Sequence, residues 1–231
     1  MNMDDNLDRL ARLCVGFGLQ IKPGQELLIS ADIGAADLVR RIIREAYAAG
    51  ASNVQCFYSD DAATLARFTH GTDTAIKTAP GWLFEAMAGA MRKGAARLAI
   101  AGGTPGLLAT QDPGKVARAN TAQSIAAKPF MEVVTSGLTN WNIVPFVTEG
   151  WARQVYPDLP VEEAVETLWG HVFTALRLDH DDPVAAWQDA FDTLARRRAY
   201  LTERAFSALH FEGGGTDLTL GLAKGHVWAG G

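Results

Sequence analysis

A chain of 231 residues, 48% apolar and 20% charged, holds enough material for one large domain or one and a half around a real hydrophobic core. A formal net charge of −5 without any basic run argues against a nucleic-acid partner. No apolar stretch is long enough to span a bilayer, and Asp4, Asp5 and Asp8 stand where a secretory leader needs positive charge, so a cytoplasmic chain without a membrane partner is expected.

Leu7, Leu10, Cys14 and Phe17 recur at helical spacing and predict an amphipathic first helix ending near Gly16 or Gly18. Pro23-Gly24 makes a turn, and Glu26 to Ala31 reads as a buried strand. Leu38, Val39, Ile42, Ile43, Ala46 and Tyr47 form the inner stripe of a helix closed by Gly50. Asn53 to Tyr58 is the next strand. Asp60 or Asp61 caps a helix that runs to about His70, and another spans roughly Pro80 to Arg92. Ala96 to Gly102 is a third strand. Asp112-Pro113 is a strong helix start, and that helix should kink or end near Pro129. Trp141 to Phe146 is a fourth strand, at an edge because of Pro145.

Strands alternating with helices imply right-handed crossovers, hence an α/β fold with an open, mostly parallel sheet and helices on both faces. From Val161 to Leu178 the pattern is helical, with Val165, Leu168, Trp169, Val172 and Leu176 inward. Asp182-Pro183 starts another helix whose inner stripe is Val184, Trp187, Phe191, Leu194 and Leu201. Then the period changes to two: Leu209 and Phe211, and after the turn at Gly213 to Gly215, Leu218, Leu220 and Leu222. A hairpin is marginal alone. The expected organisation is therefore a domain over residues 1–204 and, over 205–231, the first strands of an incomplete second domain.

Few residues carry chemistry. Gly102, Gly103 and Thr104 follow a strand, where open α/β sheets bind ligands, so an anion-binding turn over Gly102 to Gly106 is one reading. The turn lacks both phosphate-loop fingerprints, and an ordinary strand-to-helix connection accounts for it as well. In "DHDD" (Asp179 to Asp182) the aspartates suit helix capping better than metal binding. Glu162, Glu163 and Glu166 share a helix start and read as a solvated face. His171 has no H-E-x-x-H pattern around it. Cys14 and Cys56 read as reduced core residues, with a disulfide or a metal pair as the alternative. His210 and His226, in the terminal strands, are the candidates for a substrate cavity or metal site if the sheet were complete.

The terminal stretch "GGGTDLTLGLAKGHVWAGG" resembles the sequence that precedes the active-site region in the aminopeptidase T (thermophilic metalloprotease) family. "LPVEEAVETLWGHVFTALRLDHDDPVAAWQDAFDTLARRRAYL" resembles that family's pair of long helices, and "LDRLARLCVGFGLQIKPGQELLISA" its amino-terminal helix and first strand. The resemblance covers nearly the whole chain. It implies the amino-terminal part of a metal-dependent exopeptidase that removes the first residue of peptides and forms a homodimer when complete. In the complete enzyme two divalent ions (zinc, cobalt or magnesium) are held by glutamates, histidines, an aspartate and a tyrosine. No position of this chain matches one of those ligands, so the resemblance implies an inactive piece that walls the substrate cavity. A stand-alone α/β binding or scaffold protein is the competing expectation.

Overall fold

Four short apolar runs build one sheet in the computed structural model, which describes residues 2–230. β1 (Glu26–Asp32), β2 (Asn53–Ser59), β3 (Ala96–Ala101) and β4 (Trp141–Pro145) all run parallel, in the order β2-β1-β3-β4. The expected parallel sheet is present, and β4 is an edge strand, where proline is tolerated.

Helices cover both faces. Leu28 of β1 packs with Met87, Ala88 and Met91 of one helix (Gly81–Arg92, α5) and with Phe130, Val133 and Val134 of another (Pro113–Thr135, α6). Its neighbours Leu27 and Ile29 point to the opposite face and are fully buried there. On that side α2 (Ala36–Ala48) lies against β1 and β2, and α1 (Met3–Arg12) packs on α2. Arg41 of α2 ties the two helices together, 2.7 Å from Asp4, 2.8 Å from Asp8 and 3.0 Å from Asp37. Hydrogen bonds to Asp8 and Asp37 push the guanidinium pKa up. The carboxylates are largely exposed, so the gain is modest, but three anions fix one cation in one place.

The first helix does not stop at Gly16 or Gly18. Leu13–Leu19 continues it as a π-helix, ended by Gln20 in the left-handed region at φ 50°. Gly18 is not a cap: the Asn142 side chain lies against it and leaves no room for a Cβ. α6 runs past Pro129 to Thr135. An interior proline costs ~3 kcal/mol, but Phe130, Val133 and Val134 lie buried beyond it, each worth about 1.5–3 kcal/mol. Burial therefore wins.

The sheet's remaining helices are α3 (Asp61–His70), α4 (Asp73–Lys77), α7 (Glu149–Val155) and α8 (Val161–Ala175). α4 and α7 are too short to show a period; side-chain caps at Thr72 and Thr148 start them. α8 buries Leu168, Trp169, Val172 and Phe173, and Trp169 sits edge-on to Phe146 after β4 at 5.4 Å.

The chain divides into two compact units, one ending at Leu178 and one running from Asp179. The second holds α9 (Pro183–Arg204), β5 (Ala208–Gly213) and β6 (Thr216–Gly221). Compactness thus groups the last long helix with the hairpin. α9 has no fully buried residue: of its stripe, Trp187, Phe191 and Leu201 are partly buried, and Val184 and Leu194 are exposed. β5 and β6 pair antiparallel, with Leu209 opposite Leu220 and Phe211 opposite Leu218. These four share one face, as the alternation predicts. Phe211, Leu218 and Leu220 are 48%, 52% and 52% exposed.

The two sheets should respond differently to the same truncation. Leu98→Ala, at a fully buried position of β3, should cost about 2–5 kcal/mol. Leu220→Ala should stay within about 0.5 kcal/mol. Urea denaturation measures both; equal losses would mean that Leu220 is packed in solution.

Candidate functional site

Strand order sets where a ligand would sit. From β1 the chain steps to β2 on one side and then crosses to β3 on the other. The switch point lies between the carboxy-terminal ends of β1 and β3. β1 ends on Asp32, whose Oδ1 accepts the Gly34 N–H at 2.8 Å and turns the chain into α2. β3 ends on Ala101, and Gly102, Gly103 and Thr104 follow, so the turn singled out by the sequence stands at the switch point.

Its donors are partly used. The Thr104 N–H donates to Asp61 Oδ2 at 3.2 Å. An anion at this turn would have to displace that carboxylate. Gly102 is required by a close approach: a Cβ there would lie 2.6 Å from the Phe146 carbonyl oxygen. Thr104 in turn lies against Gly150, where a Cβ would collide with its side chain. Asp60, not Asp61, caps α3, bonding the Ala62 N–H at 2.7 Å. That leaves Asp61 for Thr104, a pairing across 43 positions that no local pattern announces.

The terminal histidines have separate partners. His210 Nδ1 lies 2.9 Å from Thr219 Oγ1 across the hairpin. Its Nε2 is 3.8 Å from Glu212 and 3.6 Å from Asp217, both more than four-fifths exposed. His226 Nδ1 lies 2.9 Å from the Ala223 carbonyl oxygen, and its ring meets Trp228 edge-on at 5.8 Å. No group of three or more His, Cys, Asp or Glu among the described residues is arranged to hold a metal ion. A catalytic metal pair does not fit the side chains described.

The other candidates take structural places. Asp182 caps α9, accepting the Ala185 N–H at 3.0 Å. Glu162, Glu163 and Glu166 are exposed at the start of α8. His171 stacks on Tyr156 at 6.3 Å. At the opposite end of the sheet, a cavity of about 790 Å³ opens beside Gln25 and Asn140. Gln25 Nε2 donates to Gly94 O at 2.8 Å and to Asn140 Oδ1 at 2.7 Å, while Asn140 Nδ2 donates to Leu19 O. This knot binds the end of the π-helix to the strand starts.

A family profile described as thermophilic metalloprotease (M29) matches residues 3–231. Aminopeptidase T of Thermus thermophilus is 47% identical over 98% of this chain and 55% of its own length. Aminopeptidase T of Thermus aquaticus is 46% identical over 98% and 56%, and aminopeptidase 2 of Geobacillus stearothermophilus 37% over 99% and 55%. The solved structure of wild-type AmpT from Thermus thermophilus superposes with a TM-score of 0.93 at 44% identity, covering 100% of this chain and 56% of that one. The chain spans about half the length of the relatives it matches.

Neither cysteine is set up as a nucleophile. Both are free; Cys14 is buried and Cys56 partly so. Burial pushes the Cys14 thiol up from an ordinary 9.0 to about 12. The unfolded chain therefore loses this proton first, and stability should fall as pH rises through that interval. Partial burial also raises the Cys56 pKa, so at about pH 8 a thiol reagent should label Cys56 slowly and Cys14 only on unfolding. Equal labelling rates in the folded protein would contradict this placement.

Proposed function

The chain belongs to the thermophilic metalloprotease (M29) family, and from that premise we propose that it forms the amino-terminal part of a metal-dependent aminopeptidase that releases the first residue of peptides. The observation that carries this reading is the end-to-end match to named aminopeptidases whose own chains extend well beyond it. In this reading residues 1–204 are the amino-terminal domain and the catalytic domain opens at about residue 205, with the β5–β6 hairpin as its first strands.

The chemistry is divided accordingly. Divalent ions lower the pKa of a bound water and polarise a carbonyl. Two such ions, of the zinc, cobalt or magnesium class, would be held by residues outside this chain. The parallel-sheet unit contributes a wall. An exopeptidase needs a blind end that admits a peptide amino terminus and excludes a folded chain, and a rigid sheet sandwiched by helices is suited to that. The hairpin's polar face, with His210, Glu212, Asp217 and Thr219, is the part of the chain we assign to the substrate cavity, with His226 beyond it. The complete enzyme would act in the cytoplasm as a homodimer, with peptides as substrates and neither nucleic acid nor membrane as partner. The net charge of −5 argues against a nucleic-acid partner, and no helix among the described residues is long and apolar enough to cross a membrane.

The 231-residue chain alone should release no amino acid from a leucyl peptide and retain no metal pair after dialysis. Turnover with two ions bound per chain would sink the proposal that the ligands lie elsewhere. In the same chain, amides of β5 and β6 should exchange with solvent far faster than those of β1. An exposed hairpin without a covering layer has little to slow local opening. Protection equal to β1 in a dilute monomer would mean that the hairpin has no need of further strands.

A further inference from the structure

Strands of a parallel sheet are normally covered on both faces, and one strip of this sheet is not. On β3, Arg97 stands between Leu28 of β1 and Trp141 of β4, and Ala99 stands beside Ile143. Neighbours in register share a face, so Trp141 and Ile143 lie on the side where α5 and α6 cover Leu28. At β4 that cover ends: Trp141 is 43% and Ile143 53% exposed.

The strip also contains a cation without an anion. The Arg97 guanidinium lies over the Phe130 ring at 4.9 Å. Its Nε is shut off from solvent with no hydrogen-bond acceptor, and no carboxylate among the described residues offsets the lost hydration, which lowers its pKa. Arg97 is partly buried, and a desolvated guanidinium nitrogen left without an acceptor is costly. The edge of β4 is closed to strand addition, because the Ile143 N–H is bonded to Asn142 Oδ1 at 2.7 Å and Pro145 has no N–H. A segment that covers this strip comes over the face, and a carboxylate on it would meet the desolvated side of Arg97.

We propose that the strip formed by Arg97, Trp141 and Ile143 is the seat of a carboxylate-bearing apolar segment from the part of the polypeptide that follows residue 231 in the relatives. The inference rests on the reading that such a part completes the enzyme. The relatives' length favours this occupant, since a little under half of each lies outside the match. A second copy docking through the same strip is disfavoured. Two-fold symmetry would bring two Arg97 cations into one dry contact.

Hydroxyl-radical footprinting, read by mass spectrometry at Trp141 and Ile143, tests this. The 231-residue chain is compared with the chain extended to the relatives' full length. Labelling of both residues should fall several-fold in the extended chain. Arg97→Met should restore it there and leave the labelling of the shorter chain unchanged. Should Arg97→Met fail to fold, Ile143→Glu at an exposed position is expected to restore Trp141 labelling in the extended chain. Equal labelling at both lengths would overturn the proposal, as would protection that appears only with rising concentration, the mark of a second copy. A peptidase assay on the extended chain separates the two readings: protection without turnover sinks the proposed activity alone, and turnover with Trp141 still labelled sinks the docking alone.

Discussion

β1 is buried from both sides, and the remainder of the larger unit follows from that. Leu27, Leu28 and Ile29 are consecutive and all buried, so opposite faces of one strand must both be dry. One layer of helices cannot do this. The chain places α2 against one face, with α1 packed on α2, and α5 and α6 against the other. Parallel pairing on both edges of β1 then satisfies its backbone, and each crossover has to carry a helix. The order β2-β1-β3-β4 keeps the first strand off both edges.

The two units answer this constraint to different degrees. The larger one closes its core around β1, with the strip at β4 left open. In the smaller one, the hairpin separates apolar from polar residues cleanly, yet its apolar face stays half-exposed and α9 has no buried residue. Membership of a metalloprotease family and the lack of a metal-holding group among the described residues fit one division of labour. In the proposed enzyme the larger unit would supply rigidity, and the hairpin the join to chemistry performed outside this chain.

The strands were legible because buried parallel strands are written as short continuous apolar runs, and all four stand where such runs occur. The caps at Asp112 and Asp182 were legible because an aspartate before proline is a local signal; both accept the expected N–H, from Lys115 at 2.6 Å and Ala185 at 3.0 Å. What was hidden depends on distance or on missing partners. Nothing near Asp61 points to Thr104. Nothing in "ARLAIA" says that Arg97 will lack a carboxylate. The stripe along α9 has the period of a buried face, but a period records only which residues could be buried together. The site was the least legible part, since the described residues offer no clustered His, Cys, Asp or Glu for a pattern to announce.

The π-helix at Leu13–Leu19 bears on how this sequence tolerates changes of length. A π segment holds one more residue in its turn than the α-helix it continues. Leu13, Cys14, Val15 and Leu19 are all buried, and Asn140 and Asn142, just before and within the edge strand β4, rest on its last residues. Removing one residue would swing everything beyond it by about 100° around the helix axis, carrying Leu19 out of the core and the Asn140 contact with it. The reading frame of this helix is therefore locked by tertiary contacts more than a hundred positions away. Length variation among relatives should collect in the connections and pass this stretch by.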